Sequence, residues 1–123
     1  MPMATLADAP EFSLGDLRIR SLAVPSRGSR ELSSWQVDLP PHTTSGVHSL
    51  NREQVIVVNA GSVTATIDGA EFTAGPGDAL ILPADTVVEL RNPTDAGSTA
   101  LVFSPAGFQA TAGNATFAPP WSL

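Results

Sequence analysis

The sequence predicts an all-β fold, a sandwich or barrel of short strands. Two observations carry this. Short runs alternate apolar and polar side chains, and clusters of Gly, Pro, Asn and Asp part them at regular intervals. No longer stretch has a clean helical period, and no repeat recurs at solenoid spacing.

In order along the chain, residues 1–16 mix Pro, Ala, Asp and Ser without a period and are expected to form a leader lying across the body. From Asp16 to Val24, Leu17 and Ile19 fall on one side and Arg18 and Arg20 on the other, as in an edge strand. Pro25 to Arg30 is a turn. Leu32 to Leu39 is a second strand, with Trp35, Val37 and Leu39 on one face. Pro40 and Pro41 end it, because proline cannot donate to a ladder. His42 to Gly46 is a loop, and Val47 to Ala60 is the central strand region, with a bend at Asn51-Arg52.

Ser62 to Ile67 alternates. Asp68-Gly69 is a two-residue hairpin signal, and Ala70 to Thr73 returns from it. Gly75 to Asp78 is a turn. Ala79 to Leu82, Thr86 to Arg91 and Thr99 to Ser104 are strands. The last segment is rich in Gly, Ala and Thr. The domain division expected is a leader at 1–16, the β body at 17–105, and a tail at 106–123 that packs on the body or on a partner subunit.

Composition narrows the chemistry. At 123 residues the chain is one domain, long enough to bury a core. A net charge of −6 disfavours nucleic acid and anionic membrane as partners. No apolar run approaches the roughly 18–20 residues of a membrane helix. No basic patch precedes an apolar core at the start, so the expected location is the cytoplasm. There is no cysteine, no lysine and no tyrosine. Thiolate, Schiff-base and phenolic chemistry are therefore absent. Proton transfer falls to His42, His48, a carboxylate, or a hydroxyl working with one of these.

Two stretches face each other in the pattern. One runs from Gly46 to Gly61, the other from Gly75 to Asn92. His48 stands at a histidine position, Gln54 follows, and Gly61 comes after a further six-residue gap. Gly77, Pro83 and Asn92 repeat a second spacing. Together they resemble the paired motifs of the cupin family, over roughly residues 32–104. The resemblance implies a single-domain cupin jelly-roll β-barrel with a small-molecule site inside it. It also implies a homodimer, for which the strand at 17–24 and the Trp121 tail are the expected contacts.

The departures bear on the site. A standard cupin centre holds a transition metal with three histidines and a carboxylate or amide. Here Leu50 replaces the second histidine of the first motif, Val88 replaces that of the second, and Asp85 replaces the glycine before it. Only His48 and Gln54 keep donor atoms, and a neutral amide is a weak ligand. The expectation is no cofactor. The lesser reading is a divalent transition metal on His48 and Gln54, with His42 folded inward as a third ligand.

Alternate strand residues share a face. If His48 points inward, so does Leu50, and Gln54 and Ile56 share a face past the bend. Val88 and Leu90 face them from the opposing strand. The expected pocket has His48 and Gln54 as catalytic polar groups and Trp35, Leu50, Ile56, Val88, Leu90 and Phe103 as substrate-binding residues. Glu53 and Glu89 fall outward, and a one-residue slip would bring them in. His48 and Gln54 also have a purely structural reading, as buried groups hydrogen-bonded to their neighbours.

Three functions remain open. One is a metal-independent isomerase, cyclase or lyase that uses His48 as general acid and base on a small organic molecule. The second is a non-catalytic metabolite-binding or sensor module. The third is a metal-dependent oxygenase with a reduced ligand set.

Overall fold

The computed structural model describes residues 2–123. Among the described residues thirteen strands form: β1 (Glu11–Leu14), β2 (Leu17–Ser21), β3 (Leu32–Leu39), β4 (Thr43–Thr44), β5 (Ser49–Leu50), β6 (Gln54–Ala60), β7 (Val63–Ile67), β8 (Ala70–Ala74), β9 (Ala79–Leu82), β10 (Val88–Asn92), β11 (Ser98–Pro105), β12 (Ala110–Ala112) and β13 (Ala115–Phe117). Single 3-10 turns occupy Pro25–Arg27 and Pro120–Ser122. No helix among the described residues is long and apolar enough to cross a membrane.

Strand alternation decides which side of each sheet is dry. In β3, Ser33, Trp35, Val37 and Leu39 are buried while the residues between them are partly exposed. In β6 the buried row is Gln54, Ile56 and Val58, and in β10 it is Val88, Leu90 and Asn92. Burying each large apolar side chain contributes about 1.5–3 kcal/mol. Six strands join in the order β1-β2-β3-β11-β6-β9, four in the order β4-β10-β7-β8, and three in the order β13-β12-β5. Trp35, Ile56 and Val102 of the first sheet and Val63, Ala65 and Leu90 of the second belong to one buried cluster. This is the jelly roll that the alternation predicts, but the sheets do not close into one continuous barrel. β4 and β5 are two residues long, so the ladder breaks where closure would need them.

The expected boundaries shift at both ends. Residues 11–14 join the sheet as β1, paired Leu14 to Leu17 across the Gly15-Asp16 turn. β2 is therefore covered rather than an edge. Four residues are too few to reveal a period in sequence. The segment after Pro105 is also structured, because β12 and β13 form a hairpin that pairs with β5. Three serine hydroxyls hold the turn that follows. Ser21 donates to the Trp121 carbonyl at 2.6 Å, Ser33 to the Ser122 carbonyl at 2.9 Å, and Ser26 to the Leu123 carbonyl at 2.6 Å.

The turns follow the local chemistry. Asp68 and Gly69 both have positive φ, as the two-residue hairpin requires. Gly61 has φ +71, and a Cβ placed there would lie 2.8 Å from both the Gly97 carbonyl oxygen and Ser98 Cβ. Gly61→Ala is thus expected to lower stability by about 2–3 kcal/mol through left-handed strain and overpacking. Urea denaturation measures this, and a change under about 0.5 kcal/mol, the range of an ordinary surface substitution, would contradict it.

Candidate active site

Between the sheets lies a cavity of about 100 Å³. β6 supplies Gln54 and Ile56, β5 supplies Leu50, and β10 supplies Leu90. Trp35 of β3 closes one side and stacks on Phe108, with ring centroids 5.7 Å apart and planes 17° from parallel. Phe117 and Trp121 complete the aromatic lining from the C-terminal segment. Phe117 is exposed and Trp121 partly buried. The polar lining residues are Ser45, His48 and Gln54.

His48 is half-buried and sits in an isolated bridge to Val88, closed by backbone hydrogen bonds of 2.9 and 2.8 Å. Its Nδ1 lies 3.0 Å from the Gly46 carbonyl oxygen. A carbonyl only accepts, so Nδ1 carries a proton, and in the neutral imidazole Nε2 holds the lone pair. The backbone thus fixes both the tautomer and the ring orientation, and it leaves the basic nitrogen free of any hydrogen bond among the described residues.

Gln54 is only 5% exposed, yet its Nε2 has no hydrogen-bond partner. Leaving a buried donor unmade costs about 1–3 kcal/mol. Ser45 differs: its Oγ accepts from the Leu90 amide at 3.0 Å and donates to the Gly46 carbonyl at 2.9 Å. Ser45 therefore holds the loop that positions His48, and His48 and Gln54 carry the uncommitted polar atoms.

The structure brings His48, Gln54, Trp35, Leu50, Ile56 and Leu90 together around this cavity. Three expected residues lie elsewhere. Val88 is fully buried, but it packs in the core rather than lining the cavity. Phe103 is 42% exposed because β11 turns its even-numbered residues inward, so Val102 lines the cavity instead. Phe103 faces out beside Val55, which pairs in turn with Ile81. His42 is on the surface, its Nε2 2.6 Å from Asp95 Oδ1, and cannot serve as an inward ligand. No register slip occurs: Glu89 accepts from Thr44 at 2.6 Å on the outer side. Sequence reasoning missed Phe108 as a wall of the cavity. The aromatic residues of a Gly- and Ala-rich tail were the available signal.

The donor set does not fit a metal of the usual kind. Leu50 and Val88, which the motif resemblance sets at two of the four ligand positions, offer no lone pair. Among the described residues no three His, Cys, Asp or Glu side chains gather into a ligand cluster. The second-motif asparagine has a structural role. Asn92 is fully buried, and its Nδ2 donates to the carbonyls of Ala96 at 2.8 Å, Leu39 at 2.9 Å and Pro40 at 3.3 Å. Its Oδ1 accepts from the Thr94 hydroxyl at 2.7 Å and the Thr94 amide at 3.1 Å.

Residues 35–104 match the family model described as Cupin domain. The chain belongs to the cupin family. Solved cupin-fold structures agree. The polyketide cyclase RemF from Streptomyces resistomycificus superposes with a TM-score of 0.75 at 19% identity, over 85% of this chain and 79% of that one. A sugar phosphate isomerase of the cupin superfamily from Silicibacter pomeroyi gives 0.73 at 21% identity, over 93% and 83%. KdgF from a Halomonas species gives 0.71 at 17% identity, over 85% and 94%. At these identities the likeness is one of fold. No curated protein sequence matches the chain. Within the cupin fold, this chain has an apolar cavity with Ser45, His48 and Gln54 as its polar lining residues.

Proposed function

We propose that this cupin acts on a small organic molecule by acid–base chemistry at His48, without a metal, as an isomerase, cyclase or lyase. One observation carries the reading: Nδ1 of His48 is tied to the Gly46 carbonyl, which leaves Nε2 as a base beside an apolar cavity. Gln54 supplies the complementary group. Its side chain lines the same cavity and orients the substrate there.

The chemistry follows from the imidazole. His48 Nε2 removes a proton from a carbon next to a carbonyl. The electron pair moves into the C–C bond as the carbonyl becomes an enolate. Where that enolate is conjugated with a C=C bond, the imidazolium returns the proton to the far carbon of the conjugated system, which isomerises the substrate. Alternatively the enolate carbon attacks a second carbonyl carbon of the same molecule, whose C=O π bond opens and whose oxygen takes the proton from the imidazolium, which closes a ring. The apolar walls keep water out and hold the reacting carbons close. A positioned acid or base contributes roughly 10²–10⁴ in rate.

The test uses 2-cyclohexenone in deuterium oxide and follows α-proton exchange by NMR. The wild type is expected to exceed an equal concentration of free imidazole. His48→Ala is expected to lose about 10²-fold or more of that rate while its urea midpoint stays close to wild type. Bound ketone without accelerated exchange would leave only the non-catalytic binding module. Elemental analysis of protein purified without chelator checks the other half. A full equivalent of transition metal, absent from His48→Ala, would overturn metal independence.

A further inference from the structure

His48 lines the cavity although period-two alternation alone would turn it outward. We infer that a β-bulge at Ser45, Gly46 and Val47 aims its ring inward, with Thr44, Ser45 and Gly46 as positioning residues. The effect on rate rests on the acid–base role of His48 proposed above.

The register carries one residue too many. Thr44 pairs with Arg91, and His48 pairs with Val88. Between those pairs three residues, Ser45, Gly46 and Val47, stand opposite two, Leu90 and Glu89. Such an insertion is a β-bulge, a device that re-aims side chains beside active sites. Exposure follows the changed phase. Thr44 is exposed and Ser45 lines the cavity, so unbroken alternation would put His48 outward with Thr44. Instead Val47 is 60% exposed, and His48 lines the cavity together with Ser45, three residues before it.

Hydrogen bonds clamp the bulge to β10. The Ser45 amide donates to the Leu90 carbonyl at 2.8 Å, and the Leu90 amide donates to Ser45 Oγ at 3.0 Å. Thr44 Oγ1 donates to Glu89 Oε2 at 2.6 Å and accepts from the Gly46 amide at 3.0 Å. Ser45 Oγ and His48 Nδ1 both donate to the Gly46 carbonyl, at 2.9 and 3.0 Å. Gly46 is thus fixed at its amide by Thr44 and at its carbonyl by Ser45, and that carbonyl sets the tautomer of His48. Neither Thr44 nor Glu89 lines the cavity, so the base is aimed in part from the outer face. Gly46 has φ +75, in the left-handed region that β-branched residues avoid. A Cβ there meets nothing within 4 Å, so φ and not space restricts the position.

Gly46→Val and Gly46→Asn test this. Both place a side chain in the same open space, but asparagine tolerates a left-handed φ and valine does not. The ring nitrogens of His48 are followed by nitrogen NMR in mildly alkaline solution, where imidazole is neutral. His42, whose Nε2 meets Asp95, is the only other histidine and serves as reference. Wild type and Gly46→Asn are expected to hold the His48 proton on Nδ1, and Gly46→Val to move it to Nε2. Deuterium exchange into 2-cyclohexenone is expected to slow about tenfold or more in Gly46→Val and to stay within about threefold of wild type in Gly46→Asn. Thr44→Val removes one tether from outside the cavity, is expected to give the same signature as Gly46→Val, and stands in for it should that variant not fold. A wild-type His48 with its proton on Nε2 would overturn the inference. So would wild-type nitrogen signals in Gly46→Val or in Thr44→Val. If the nitrogens respond as expected but the wild type exchanges no faster than free imidazole, the catalytic role of His48 falls and the bulge that aims it stands.

Discussion

Asn92→Ala is expected to remove about 3–5 kcal/mol of folding stability, because several polar groups lose their partner at once. The side chain has no contact with solvent and bridges three parts of the fold: the end of β3 at Leu39 and Pro40, its own strand, and the loop at Thr94 and Ala96 that leads into β11. Each buried carbonyl or amide left without a partner costs about 1–3 kcal/mol, and a small cavity adds to this. Against a total of about 5–15 kcal/mol for a domain, that is a large fraction. Asn92→Asp is a sharper version. It keeps the acceptor for Thr94 but turns an oxygen toward the carbonyls of Leu39, Pro40 and Ala96, where a donor is needed. Urea denaturation of both variants measures the effect, and a loss below about 1 kcal/mol, the net worth of one ordinary hydrogen bond, would refute this role.

Phe108→Ala is the second large effect, at about 3–5 kcal/mol. The ring is 1% exposed and stacks on Trp35, so its removal forfeits both burial and the aromatic contact. It also links the C-terminal segment to the first sheet. The same denaturation experiment applies. A loss under about 1.5 kcal/mol, the lower end for burying such a side chain, would mean that the segment beyond Pro105 packs only loosely on the body. Because Phe108 lines the cavity, the variant also has a wider one.

Most of the body was legible in the sequence, because period-two alternation survives in any strand with one dry face. Leu32–Leu39 and Ala79–Leu82 form strands at the expected residues. Motif spacing located Gln54 and His48 at the cavity. It also set Asp85 where the cupin motif carries glycine, and Asp85 has positive φ, 57°. What the sequence hid was of another kind. β1, β12 and β13 span three or four residues each, too few for a period. Phe103, expected in the pocket, faces out, because alternation says which residues share a side, not which side is dry. Hydrogen bonding was hidden too. Spacing singles out Asn92, but not that its amide ties a loop to a neighbouring strand rather than serving the site.

The serine hydroxyls beneath the C-terminal turn bear on time rather than affinity. Ser21 and Ser33 hold the carbonyls of Trp121 and Ser122, and Trp121 lines the cavity. For a ligand bound as proposed that must pass Trp121, leaving requires those bonds to let go. A few residues can open without disturbing either large sheet, at a free energy well below that of global unfolding. Residence time in the cavity is then governed by this clasp, and two ligands of very different affinity can share one escape rate.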